Sequence, residues 1–235
     1  MSTRREFQDA LRPLDAAAIR AYLTAHSGLP GPRANLELVA AFADVAPPDV
    51  IVDLVGSDDE YVATCAAAAL GRLVAEGEGE LLAALHHEAQ DSRWRVREGA
   101  AMALQRLGDA DGAALRDVVA AWAADPDPLV QRAAIAGICE PRLLRDPESA
   151  RAALDACRVA TRSLADRPAA DRKNPDVRVL RQGLGYCWSV AVAADPEHGL
   201  PAFDRLEDST DDDVRWIVRE NRRKARLQRL LADAG

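Results

Sequence analysis

Residues 91–107 read DSRWRVREGAAMALQRL, and the same pattern returns four more times along the chain. It stands at 57–73 as SDDEYVATCAAAALGRL, at 125–139 as DPDPLVQRAAIAGIC, at 173–188 as KNPDVRVLRQGLGYCW and at 209–225 as STDDDVRWIVRENRRKA. The aligned valines are Val62, Val96, Val130, Val177 and Val214, at spacings of 34, 34, 47 and 37 residues. Periods of this size mark stacked helical pairs, because neither helix of a pair can bury its apolar stripe until a neighbour covers it.

Each unit opens on an acidic or proline-containing turn: Asp58-Asp59, Asp91-Ser92, Asp125-Pro126-Asp127-Pro128, Asn174-Pro175-Asp176 and Asp211-Asp212-Asp213. Asp, Ser and Asn there can accept hydrogen bonds from the free amides of the following helix, and the carboxylates suit its dipole. Small or apolar residues then follow the valine at four, seven and eight positions, as in Ala100, Ala103 and Leu104, or Ala134, Gly137 and Ile138. That spacing makes one continuous buried stripe. Shorter first helices are expected at Glu80–Ala89, Ala113–Ala123 and Ser149–Leu164, with another starting at Pro48.

The pattern resembles the HEAT-repeat family over roughly residues 48–232. The resemblance implies an all-α fold, a right-handed α-α superhelix of about five helical pairs. Residues 1–47 would form an N-terminal helical cap and 48–235 one continuous repeat array. In the family an Asp in the turn and a Val-Arg pair opening the second helix recur. Val96-Arg97, Val177-Arg178 and Val214-Arg215 match, whereas Val62-Ala63 and Val130-Gln131 depart. Arg97, Arg178 and Arg215 therefore have two readings: bonds to turn acids and helix-end carbonyls within the stack, or a row of cations along one edge of a groove.

Ahead of the array, residues 6–26 read as one helix, followed by the loop Gly28-Leu29-Pro30-Gly31-Pro32-Arg33-Ala34-Asn35 and a second helix at Leu36–Val45. The prolines and glycines impose a defined path that delivers Arg33 and Asn35 beside a helix start. This could be a small anion-binding site, or a cap with Asn35 as the helix N-cap. At the other end, Val214–Leu231 reads as one basic amphipathic helix, with Asn221 at a position other units give to Ala or Leu.

Composition narrows the function classes. The 235 residues are 49% apolar, only 4% aromatic, and carry a net charge of −8, which argues against a generic polyanion binder. The charge is uneven: residues 30–90 hold two Arg against eleven acids, while 91–235 balance at twenty-four each. The first residues lead into an amphipathic helix, no apolar stretch is long enough to span a bilayer, and Cys65, Cys139, Cys157 and Cys187 lack paired ligand spacing. A cytoplasmic protein with buried free thiols is expected.

No catalytic set, metal site or cofactor is expected. Phosphate-loop, nucleophile-elbow and zinc motifs are missing, and the adjacent His86 and His87 would point about 100° apart on a helix. The candidate contact residues are instead tryptophans beside arginines: Trp94 with Arg93 and Arg95, and Trp216 with Arg215 and Arg219, each either a contact patch or a seal between repeats. The first function expected is a scaffold binding a protein or peptide partner on the concave face formed by the second helices. The alternative is a nucleic-acid-binding protein. Resemblance to HEAT-like alkylpurine DNA glycosylases would use Trp94, Trp188 and Trp216 with Arg97, Arg178, Arg181 and Arg215.

Overall fold

The structure is a computed structural model and describes residues 3–31 and 33–234; Met1, Ser2 and Pro32 of the expected loop lie outside the described residues. Among the described residues the protein is all-α and has no strand. The chain forms two compact units, Met1–Ala110 and Asp111–Gly235. The boundary falls between the helices of Val96 and Val130, inside the array expected over 48–235.

The first unit contains α1 (Arg4–Leu11), α2 (Ala16–Ala25), α3 (Leu36–Val45), α4 (Pro48–Leu54), α5 (Glu60–Ala75), α6 (Leu82–Glu88) and α7 (Trp94–Ala110). Helices α1, α3, α5 and α7 lie side by side in that order, with α4 and α6 packed against α5 and α6 also against α7. The single helix expected over 6–26 is two. Pro13 lacks the amide a helix interior needs, and Asp15 restarts the helix by accepting the Ala18 N–H at 2.9 Å.

The second unit contains α8 (Gly112–Ala123), α9 (Pro128–Ile138), α10 (Pro147–Asp166), α11 (Pro175–Ala194), α12 (Pro196–Glu207), α13 (Asp212–Arg222) and α14 (Ala225–Ala234). Here α9, α11 and α13 form the side-by-side row, with α8, α10 and α12 as their companions. The terminal helix expected over Val214–Leu231 is broken at Arg223-Lys224, although no residue there disfavours a helix. Burial decides the break: turning the chain brings Leu227 out of solvent and sets α14 against α11.

The repeat logic holds in detail. All five valines are buried. Asp59, Asp127, Asn174 and Asp211 each cap the following helix by accepting amides at 2.7–3.1 Å, and Asp91 accepts the Arg93 N–H at 2.7 Å. The four cysteines are free and buried. They are less scattered than their spacing implies, because Cys139 Sγ lies 3.8 Å from Cys157 Sγ and Cys187 lies against Cys139. The Cys157 contact raises Cys139, the Cys139 contact raises Cys187 but lowers Cys157, and burial pushes all three thiols above their ordinary values, which leaves them protonated and packed.

Candidate binding surface

Trp94 is the first residue of α7 and is 55% exposed, the most exposed aromatic side chain among the described residues. Its neighbours hold it in place. The Arg95 guanidinium stacks on the indole at 4.6 Å and donates to Glu60 Oε2 at 3.0 Å. Arg93 forks onto Asp91, Nε to Oδ1 at 2.9 Å and Nη2 to Oδ2 at 2.6 Å, and donates to the Ser57 carbonyl at 2.6 Å. These hydrogen bonds hold the Asp91 carboxyl below its usual range.

Beside Trp94, Arg95 lines a cleft of about 470 Å³ whose other walls include Leu29 and Pro30 of the glycine–proline loop, Thr24, Asp59, Glu60 and Tyr61. The loop and the tryptophan patch, separate in sequence, therefore meet at one surface of the first unit. Within the loop the local role is structural. The Asn35 side chain accepts the Leu38 N–H at 3.1 Å as an N-cap, and the Asn35 backbone carbonyl accepts the Tyr61 hydroxyl at 2.6 Å. Gly28 at φ +76° supplies the left-handed turn, and a Cβ there would also meet the Arg33 carbonyl at 2.9 Å. Arg33 is exposed and does not line the cleft.

The arginines that follow the valines separate into two kinds. Arg97 turns back and donates to the carbonyls of Asp91 and Ser92 at 2.6 and 2.9 Å, the in-stack role. Arg178 is exposed, and Arg215 is exposed with a 3.7 Å ion pair to Asp212. Arg181 donates to Asp213 Oδ1 at 2.6 Å and stacks on Trp216 at 4.7 Å. Trp216 is half-buried against Gly185, where a Cβ would stand 2.8 Å from the indole. The indole thus seals α13 onto α11.

One candidate is corrected outright as a surface contact. Trp188 is fully buried, with Nε1 donating to Thr161 Oγ1 at 2.9 Å and its ring beside Phe203. It sits on the inner side of α11 beside Cys187, so its stripe position marks core. Arg219 is exposed and lines a groove of about 520 Å³ together with Arg215, Arg222 and Arg223. Its apolar wall includes Leu206 of α12, a helix the repeat pattern alone does not single out.

The family profile for HEAT repeats matches residues 47–139. Among solved structures, an engineered protein is 19% identical, with 99% of this chain and 98% of that chain covered and a TM-score of 0.40. A designed armadillo repeat protein is 16% identical, covering 92% and 97%, with a TM-score of 0.39. Another designed armadillo repeat protein, solved in complex with the peptide (KR)4, is 15% identical, covering 94% and 98%, with a TM-score of 0.39. No curated protein matches the chain significantly. Residues 47–139, over which the chain is similar to HEAT repeats, carry the first three valine units and the Trp94 patch.

Proposed function

We propose that the protein is a non-catalytic scaffold that binds a protein or peptide partner, with the surface around Trp94 as its contact point. The observation that carries this reading is an indole 55% exposed yet held by the stack of Arg95, a residue that itself lines a cleft. Exposed tryptophans beside arginines are the residue types that dominate interface energies. An anchor already ordered in the free protein loses less conformational entropy on binding.

The nucleic-acid alternative draws less support from the same residues. Trp188 is buried, Arg97 and Arg181 are engaged within their own units, and residues 1–110 carry ten Arg against seventeen Asp and Glu. A phosphate backbone would meet net negative charge there.

Affinity capture of the tagged protein and its Trp94→Ala variant, with and without nuclease, tests the reading. A discrete protein should survive nuclease and lose affinity for the variant by about 2 kcal/mol, roughly thirtyfold. Capture that depends on nucleic acid would overturn it.

A further inference from the structure

A second surface is built from different chemistry. On α13, Arg215, Arg219 and Arg222 follow one another at intervals of four and three residues, which places them along one side of the helix, and Arg223 is its C-cap. They line the groove of about 520 Å³ with Leu206 and Val218 as apolar wall and Glu207 as the one acid. Arg215, Arg222 and Arg223 keep half or more of their side chains in solvent, and Arg219 is exposed. Arg222 forks onto Glu207 at 2.7 and 2.5 Å, and Arg223 reaches Glu220 at 2.7 Å. Among the described residues, that leaves Arg215, with its long 3.7 Å pair, and Arg219 as the groove's least committed cations.

The arrangement is not one that helix stability favours throughout. Arg215–Arg219 and Arg219–Arg223 are like-charge pairs four apart, each costing a few tenths of a kcal/mol. Arg215 also lies in the first half of α13, where the helix dipole disfavours a cation. The last-turn cations have a dipole rationale; Arg215 has none.

We propose that this groove receives a short acidic segment of a protein partner, two or more carboxylates flanking an apolar residue. Guanidinium forks match carboxylates in a bidentate plane, and Leu206 and Val218 give the apolar side chain a seat. A nucleic-acid backbone fits less well, since it brings no apolar group to the seat formed by Leu206 and Val218. The inference takes its class of partner from the scaffold reading, but its residues are independent of Trp94.

The test is fluorescence anisotropy on the full chain at low salt with labelled Glu-Glu-Leu-Glu-Glu, the same peptide with Ser for Leu, and a short oligothymidylate. The leucine peptide should bind saturably and more tightly than the serine peptide. Arg219→Glu should weaken it by about tenfold or more while Trp94→Ala leaves it unchanged. Equal affinity in Arg219→Glu, or oligothymidylate binding as tightly as the peptide, would overturn the proposal. Should Arg219→Glu lose its helical circular dichroism, Arg219→Gln decides, and unchanged affinity there overturns it as well. Failure of the peptide with Trp94-dependent capture intact removes the groove alone; the reverse result removes the Trp94 reading and keeps the groove.

Discussion

Gly71 of α5 faces the Ala103 carbonyl of α7 so closely that a Cβ on Gly71 would stand 2.0 Å from that oxygen. Gly99 repeats the contact in the other direction, its Cβ position lying 2.7 Å from the Thr64 carbonyl, and buried Ala63, Ala67 and Val96 fill the space nearby. The two helices meet backbone to backbone. Replacing Gly71 with Ala would raise helix propensity by about 1 kcal/mol, yet the methyl meets backbone that cannot rotate away, and overpacking costs about 1–3 kcal/mol or more. The clash wins, and chemical denaturation should show Gly71→Ala less stable by about 2 kcal/mol. Gly112→Ala, with nothing closer than 3.6 Å, is the control and should be neutral or stabilising. Equal stability of Gly71→Ala and the wild type would refute this packing.

Asp44 ties three elements of the first unit together. It accepts Arg4 Nε and Nη2 and Gln8 Nε2, all at 2.6 Å, and Arg106 Nη2 at 2.8 Å. Burial pushes its carboxyl up, but the hydrogen bonds from Arg4 and Arg106 outweigh that and hold it below the ordinary value. A depressed folded value means stability that is present above the unfolded carboxylate range and is lost as pH falls through the folded one. Asp44→Ala should therefore cost about 1–3 kcal/mol at neutral pH, with the gap to wild type closing in acid-titrated melts.

Asn221 joins α13 to α11. Its carbonyl accepts the Ser189 N–H at 2.8 Å, and its amide donates to the carbonyls of Leu184 and Ile217 at 2.9 and 2.8 Å. The side chain is fully buried, so no water is at hand to replace it. Asn221→Leu would strand the partner groups on α11 and should destabilise by about 1–3 kcal/mol despite the added apolar surface. A thermal midpoint at or above wild type would show the joint to be dispensable.

Glu88 behaves in the opposite sense. Its side chain is buried on α6, Oε2 has no hydrogen-bond partner among the described residues, and burial with Asp91 nearby pushes the carboxyl above its ordinary value. A raised folded value for an acid means the native state binds its proton more tightly, so stability declines as pH rises from the unfolded value through the folded one. Glu88→Gln should stabilise by about 1 kcal/mol at neutral pH and lose that advantage in acid. Parallel melts across the carboxylate range measure it; a destabilised Gln variant at neutral pH would contradict the assignment.

What the sequence by itself determined is local and periodic. The valine spacing, the acidic caps and the four–seven–eight stripe specify helices and the face each must bury, since these depend only on the 3.6-residue repeat and on hydrogen bonds within a few residues. Asn35 as a cap, Arg97 as an in-stack donor and Asn221 as a buried joint were readable on those grounds. Tertiary structure decided what needs two elements at once. It placed Trp188 inside and Trp94 outside, although both are tryptophans beside a repeat motif. It broke the last helix to bury Leu227, gathered Cys139 at the end of α9 with Cys157 of α10 and Cys187 of α11, and brought the glycine–proline loop to the cleft that Arg95 lines. A stripe assigns a side chain to a face of its helix; whether that face meets a neighbour or water depends on which helix lies across from it, and that partner is distant in the chain.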